Sequence, residues 1–167
     1  ARDRMVSALN QRLQQSDNKI FAKPAVQLAD EQLHTEQQLH QMLQQYRAAD
    51  RAAGRTIKGP HRADLRVFHS AKQQPAEKCS TGEQKALLFS IILAHADLIA
   101  DRRNRRPILL LDEVAAHLDP QRRAALFGKL AERGGQVWLT GTEPDLFSDI
   151  PDNALHFEVV DGTVTHR

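Results

Sequence analysis

Ile108-Leu109-Leu110-Leu111-Asp112-Glu113 is the stretch whose reading decides the fold. A continuous apolar run of this length predicts a strand buried on both faces of a parallel sheet. Ligands of such sheets bind beyond the carboxyl ends of the strands, where the two acids fall. Asp-Glu at such a strand end suits the handling of a nucleotide phosphate. Asp112 would help hold a magnesium ion. Glu113 would orient and deprotonate the attacking water, a role worth roughly 10²–10⁴ in rate. Neighbouring strand residues point oppositely, so both acids line one site only if the strand end splays. The competing reading is a strand followed by a helix cap with incidental acids. A further acid, Asp119, after Ala115-Ala116-His117-Leu118, favours the chemical reading.

Upstream, Ser80-Thr81-Gly82-Glu83-Gln84 opens a long apolar segment. Ser-x-x-Glu is a capping box, useful with or without a ligand. The same helix start offers N–H groups and a dipole to an anion, so the two readings are compatible. A phosphate-cradling loop would complete the set, and the nearest candidate is a decoy. Gly54-Arg55-Thr56-Ile57-Lys58-Gly59 has the two glycines, but Pro60-His61 follow in place of lysine and a hydroxyl residue. The other half of any ATP site is therefore expected on residues outside this sequence. The chain alone is expected neither to bind ATP tightly nor to turn it over.

The 167 residues can form one domain or a domain plus part of a second. A formal net charge of +2 does not by itself argue for nucleic acid. The single cysteine, Cys79, excludes an internal disulfide framework, and no Cys/His cluster has metal-ligand spacing. The longest apolar stretch, Ala86 to Ala100, is broken by Ser90, His95 and Asp97, so no membrane role and a reducing, cytoplasmic setting are expected. Residues 1–53 read as a mainly helical segment. Met5, Leu9 and Leu13 share one face of a helix ending at Ser16-Asp17-Asn18, Val26 and Leu28 alternate as a weak strand, and a helix resumes near Asp30. Leu39, Met42, Leu43 and Tyr46 form a stripe expected to pack on another helix.

From residue 54 onward an α/β pattern follows. It comprises a strand at Leu65–Phe68, a polar loop through Gln73-Gln74-Pro75, and a buried helix from Thr81 to about Ala100. The Asp112 strand comes next, then a helix from Pro120 to Glu132 stopped by Gly134-Gly135, and a parallel strand at Gln136–Leu139. A terminal hairpin turns on Asp161-Gly162. Arg102-Arg103-Asn104-Arg105-Arg106 reads as a solvated loop at a helix C-terminus, with phosphate-backbone contact as the alternative.

Ser80-Thr81-Gly82-Glu83-Gln84, Leu110-Leu111-Asp112-Glu113 and His117-Leu118-Asp119 together resemble the signature, Walker B and D-loop series of ABC-type ATPase heads. Gly59-Pro60-His61-Arg62-Ala63-Asp64-Leu65, Lys85-Ala86-Leu87-Leu88 and Thr140-Gly141-Thr142 narrow the resemblance to the RecF family of DNA repair proteins. It covers residues 54–167 by motif and residues 1–53 loosely. It implies the C-terminal lobe of such a head, lacking its N-terminal P-loop lobe, with residues 1–53 belonging to an arm subdomain. It also implies ATP and Mg2+ as cofactors, with Asp112 on the metal and Glu113 as the catalytic carboxylate. Ser80, Thr81 and Gly82 would meet the γ-phosphate of ATP held by a second subunit, Asp119 would sit at the dimer seam, and Thr142 would lie near the nucleotide. Implied partners are double-stranded or gapped DNA, RecO and RecR, and a second copy in an ATP-dependent homodimer. Thr81 stands where the commoner signature has glycine, and Thr140-Gly141-Thr142 lacks the histidine of transporter heads. A transporter head and a non-catalytic helical interaction module are the rival readings.

Overall fold

The computed structural model describes residues 2–16, 21–29 and 35–166. Two compact units divide the chain, one of residues 1–17 and 22–94, the other of 18–21 and 95–167. In the first, helix α1 (Arg2–Gln15) buries Leu9 and Leu13, the face expected from their spacing. Strand β1 (Pro24–Ala29) pairs antiparallel with β2 (Asp64–His69), which pairs with the two-residue β3 (Gln74–Pro75). The polar stretch expected as pure loop at Gln74–Pro75 thus supplies a sheet edge. Asn10 of α1 bonds both Val26 backbone groups, donating to its carbonyl (2.7 Å) and accepting from its N–H (2.8 Å). One side chain thereby substitutes for a strand neighbour, satisfying groups that would otherwise be orphaned.

Helix α2 (Glu36–Ala53) has Thr35 at its N-cap in a capping box and Gly54 as a left-handed C-cap at φ +63°. It buries none of its residues. Of the stripe expected to pack on another helix, Leu39, Met42 and Tyr46 are half-buried and Leu43 is exposed. The expected helix end at Asp17-Asn18 and restart at Asp30 lie outside the described residues. The Gly54–Gly59 decoy leaves a helix and enters a single turn of 3-10 helix at Pro60–Arg62, not the strand-to-helix turn of a phosphate loop. His61 Nε2 donates to the Thr56 carbonyl (3.0 Å) and Arg2 to that of Pro60, so Gly59-Pro60-His61-Arg62 builds a local turn.

Helix α3 (Thr81–Arg103) runs three residues beyond expectation. It buries Ala86, Leu87, Phe89, Leu93, Ala94 and Ala96 and leaves Leu88 exposed. In the second unit β4 (Leu109–Leu111) and β5 (Val137–Leu139) pair in parallel, with Leu110 opposite Trp138. Helix α4 (Pro120–Arg133) lies between them in sequence and buries Leu126, Phe127 and Leu130. Buried Asp97 is shared by Arg133 (2.7 Å) and Arg106 (3.5 Å). The hairpin β6 (Phe157–Val160) and β7 (Thr163–His166) turns at Asp161 (φ +48°) and Gly162 (φ +76°), the two left-handed positions of a type I′ turn. One expectation fails here. Leu110 is 75% exposed while Leu111 is buried, so β4 is buried on one face only, because nothing among the described residues covers its other face. No helix among the described residues is long and apolar enough to cross a membrane.

Candidate functional site

The second unit holds the acidic tip. Beyond Leu111 the chain leaves the sheet, and its course is fixed by buried Val114, Ala115 and Leu118. Burying a side chain of Val or Leu size is worth roughly 1.5–3 kcal/mol, enough to anchor so short a loop. Asp112 and Asp119 are left exposed and Glu113 half-buried. Glu113 adopts φ +54°, in the left-handed region that costs a residue with a side chain roughly 1–2 kcal/mol. That conformation ends the strand's alternation at the point where splaying was expected. Thr140, the residue after β5, meets both acids. Its N–H donates to the Leu111 carbonyl (3.1 Å), its hydroxyl donates to Asp112 Oδ1, and the Glu113 N–H donates to Thr140 Oγ1 (3.2 Å).

Sequence reasoning places Thr142 near the nucleotide and passes over Thr140. Thr142 is exposed two residues further on. The register of β5 against β4 carries the missed signal, because the residue one past Leu139 falls beside Asp112, the acid one past Leu111. Gly141 between them has no room for a side chain. A Cβ there would come within 2.7 Å of the Phe147 ring, which stacks on Phe127 with centroids 6.4 Å apart. Asp119 caps α4, accepting from the Arg122 N–H (2.9 Å) and pairing with its guanidinium (3.3 Å), with Pro120 at the first helical position.

The first unit holds Ser80, Thr81 and Gly82 at the start of α3. The capping box forms. Glu83 Oε2 accepts from the Ser80 N–H (3.0 Å) and hydroxyl (3.1 Å), and the Glu83 N–H reaches back to Ser80 Oγ (3.4 Å). Lys72, in the turn between β2 and β3, touches the other Glu83 oxygen at 2.5 Å. The Lys72 hydrogen bond, followed by the Ser80 N–H, holds the Glu83 carboxyl down at about 2, and the same contact raises Lys72. Ser80 and Thr81 stay exposed and Gly82 half-buried. The acidic tip and the serine turn belong to different compact units, and each stands on its own geometry.

The donors at the tip are hard oxygens. Magnesium takes one or two protein carboxylates and completes its shell with phosphates and water, which Asp112 and its neighbour Glu113 fit. Among the described residues no cluster of three or more acids, histidines or cysteines forms a self-sufficient metal cage.

Residues 5–140 match the family described as "AAA domain, putative AbiEii toxin, Type IV TA system". The chain is 51% identical over 144 residues to the DNA replication and repair protein RecF of Rhizobium etli (strain CIAT 652), covering 86% of this chain and 37% of that protein. It is 56% identical over 133 residues to RecF of Brucella abortus (strain 2308), covering 80% of this chain and 35% of that protein. The chain thus spans little more than a third of these relatives. A solved structure of the recombination mediator protein RecF with ATP, in the RecFOR pathway, aligns with 99% of this chain and 44% of its own at TM-score 0.68 and 22% identity. An SMC ATPase structure, from work on ATP-driven dimerisation and DNA-stimulated activation, aligns with 98% of this chain and 84% of its own at TM-score 0.56 and 15% identity. The α/β architecture of RecF and SMC ATPase heads is therefore the fold of this chain.

Proposed function

We propose, from the premise that the chain belongs to the AAA domain family, that it is the signature-and-acid part of an ATP-binding DNA repair protein. ATP would drive two heads together on DNA and be hydrolysed slowly. The observation that carries this reading is the pair Asp112 and Glu113 at the C-terminal end of a parallel strand, both fastened to Thr140. Asp112 would hold Mg2+, which when bound would neutralise charge on the phosphates. Glu113 would take the proton of the attacking water. Ser80, Thr81 and Gly82 would meet the γ-phosphate bound by a second copy, with Asp119 at the seam and Thr142 near the nucleotide. Residues 54–167 would belong to the ATPase head and residues 1–53 to an arm. The filled position at Gly141 speaks against a transporter-type switch histidine there.

Duplex or gapped DNA, RecO and RecR are proposed as partners of the whole protein, on the strength of the RecF relatives. A pull-down with purified RecO and RecR that recovers neither would remove those two. The central test is Glu113→Gln in the full-length protein. Hydrolysis should fall by roughly 10²-fold or more while ATP-driven dimerisation persists. Unchanged turnover refutes the assignment of the base.

A further inference from the structure

We infer that Thr140 is a positioning residue, whose single hydroxyl sets the geometry of the metal-binding carboxylate and of the base together. The inference rests on the reading of Asp112 and Glu113 given above. A threonine hydroxyl has one proton to give and two lone pairs to receive with. The proton goes to Asp112 Oδ1 and a lone pair receives the Glu113 N–H at 3.2 Å. The Thr140 N–H meanwhile continues the parallel ladder past its last paired residues, Leu111 and Leu139, by donating to the Leu111 carbonyl.

Three bonds from one residue thus tie the end of β5 to the end of β4. Two of them fall on the acids themselves. With one Asp112 oxygen engaged by the hydroxyl, the other is left for a cation. With its N–H engaged, Glu113 is held in the left-handed backbone conformation at φ +54°. Asp112 is exposed, so without this contact its carboxylate has free choice of rotamer. The Asp112 carboxylate cannot turn, nor the Glu113 backbone flip, without breaking a bond to the same oxygen.

Valine at 140 keeps the shape and removes the hydroxyl, alanine removes both, and serine keeps the hydroxyl. In the full-length protein, Thr140→Val and Thr140→Ala should lower kcat about 10-fold or more with KM for ATP within about twofold. Mn2+ affinity in the presence of ATP, read by electron paramagnetic resonance, should weaken several-fold in both. Thr140→Ser should restore both quantities to within about threefold of wild type. A ladder latch acting only on stability would lower the melting temperature and leave Mn2+ affinity intact in the folded fraction. Wild-type kcat and Mn2+ affinity in a folded Thr140→Ala or Thr140→Val variant, or a serine variant as impaired as alanine, overturns the inference. Glu113→Gln run in parallel separates the two levels. If it abolishes turnover while the Thr140 variants are silent, only the positioning role falls. If it too is silent, the underlying reading falls with it.

Discussion

At the scale of single residues, Glu83 shows how a cap and a charge pair reinforce each other. Its carboxyl lies at about 2 rather than the ordinary 4.5, first because Lys72 donates to it and second because the Ser80 N–H does. A carboxyl depressed on folding adds stability that is complete above its ordinary value and is lost as pH falls through about 2. Lys72, raised by the same contact, contributes fully below its ordinary 10.5 and loses that contribution only at still higher pH. Replacing Lys72 by Met should move the Glu83 midpoint back toward 4.5 in a carboxyl-carbon NMR titration. An unmoved midpoint would assign the depression to the Ser80 N–H instead. Asp112, Glu113 and the Ser80 cap were legible in the sequence because they follow from a strand end and a helix start. Thr140 was not, since its significance depends on the register between two strands distant in sequence, which brings it to the Glu113 N–H 27 residues away. Nor was Gly141, whose constraint is the ring of Phe147 and not a backbone angle.

Whole elements were more legible than single side-chain interactions. Periodicity located α1, an apolar run opened by a capping box located α3, Gly134 marked the end of α4, and Asp161-Gly162 marked the hairpin. Burial was the weaker inference. An all-apolar strand reads as covered on both faces, yet exposed Leu110 and Trp138 pair on one face of the two-stranded sheet, and Phe157 of β6 stacks on that tryptophan at 6.3 Å. Likewise the α2 stripe has helical spacing without a partner that buries it. Helix α3 has a distinct role at each end. Its start carries Ser80, and its last turn and the following loop expose Arg102, Arg103 and Arg105, while Arg106 is drawn to Asp97. In the alternative to a solvated helix end, those three exposed guanidiniums would meet the phosphates of the DNA proposed as partner. Their combined replacement by Glu in the full-length protein should weaken DNA binding across sequences. It should also flatten the slope of log K against log salt by roughly one unit for each phosphate no longer neutralised. An unchanged slope would leave the cluster as a solvated helix end.

At the scale of the molecule, this chain spans 37% of one RecF relative and 35% of another, so activity is proposed for the longer protein. The chain's proposed contribution is the acids for one nucleotide and the serine turn for the nucleotide of a partner copy, which would make hydrolysis a property of pairs. Mixing full-length subunits tests that directly. Ser80→Arg and Glu113→Gln should each be inactive alone, because one cannot complete its partner's site and the other lacks a base. In a one-to-one mixture of symmetric dimers, half the pairs are mixed and each has one intact site, so about a quarter of wild-type hydrolysis should return. If folded, co-dimerising variants recover nothing on mixing, Ser80 and Glu113 do not complete one another's site across two copies.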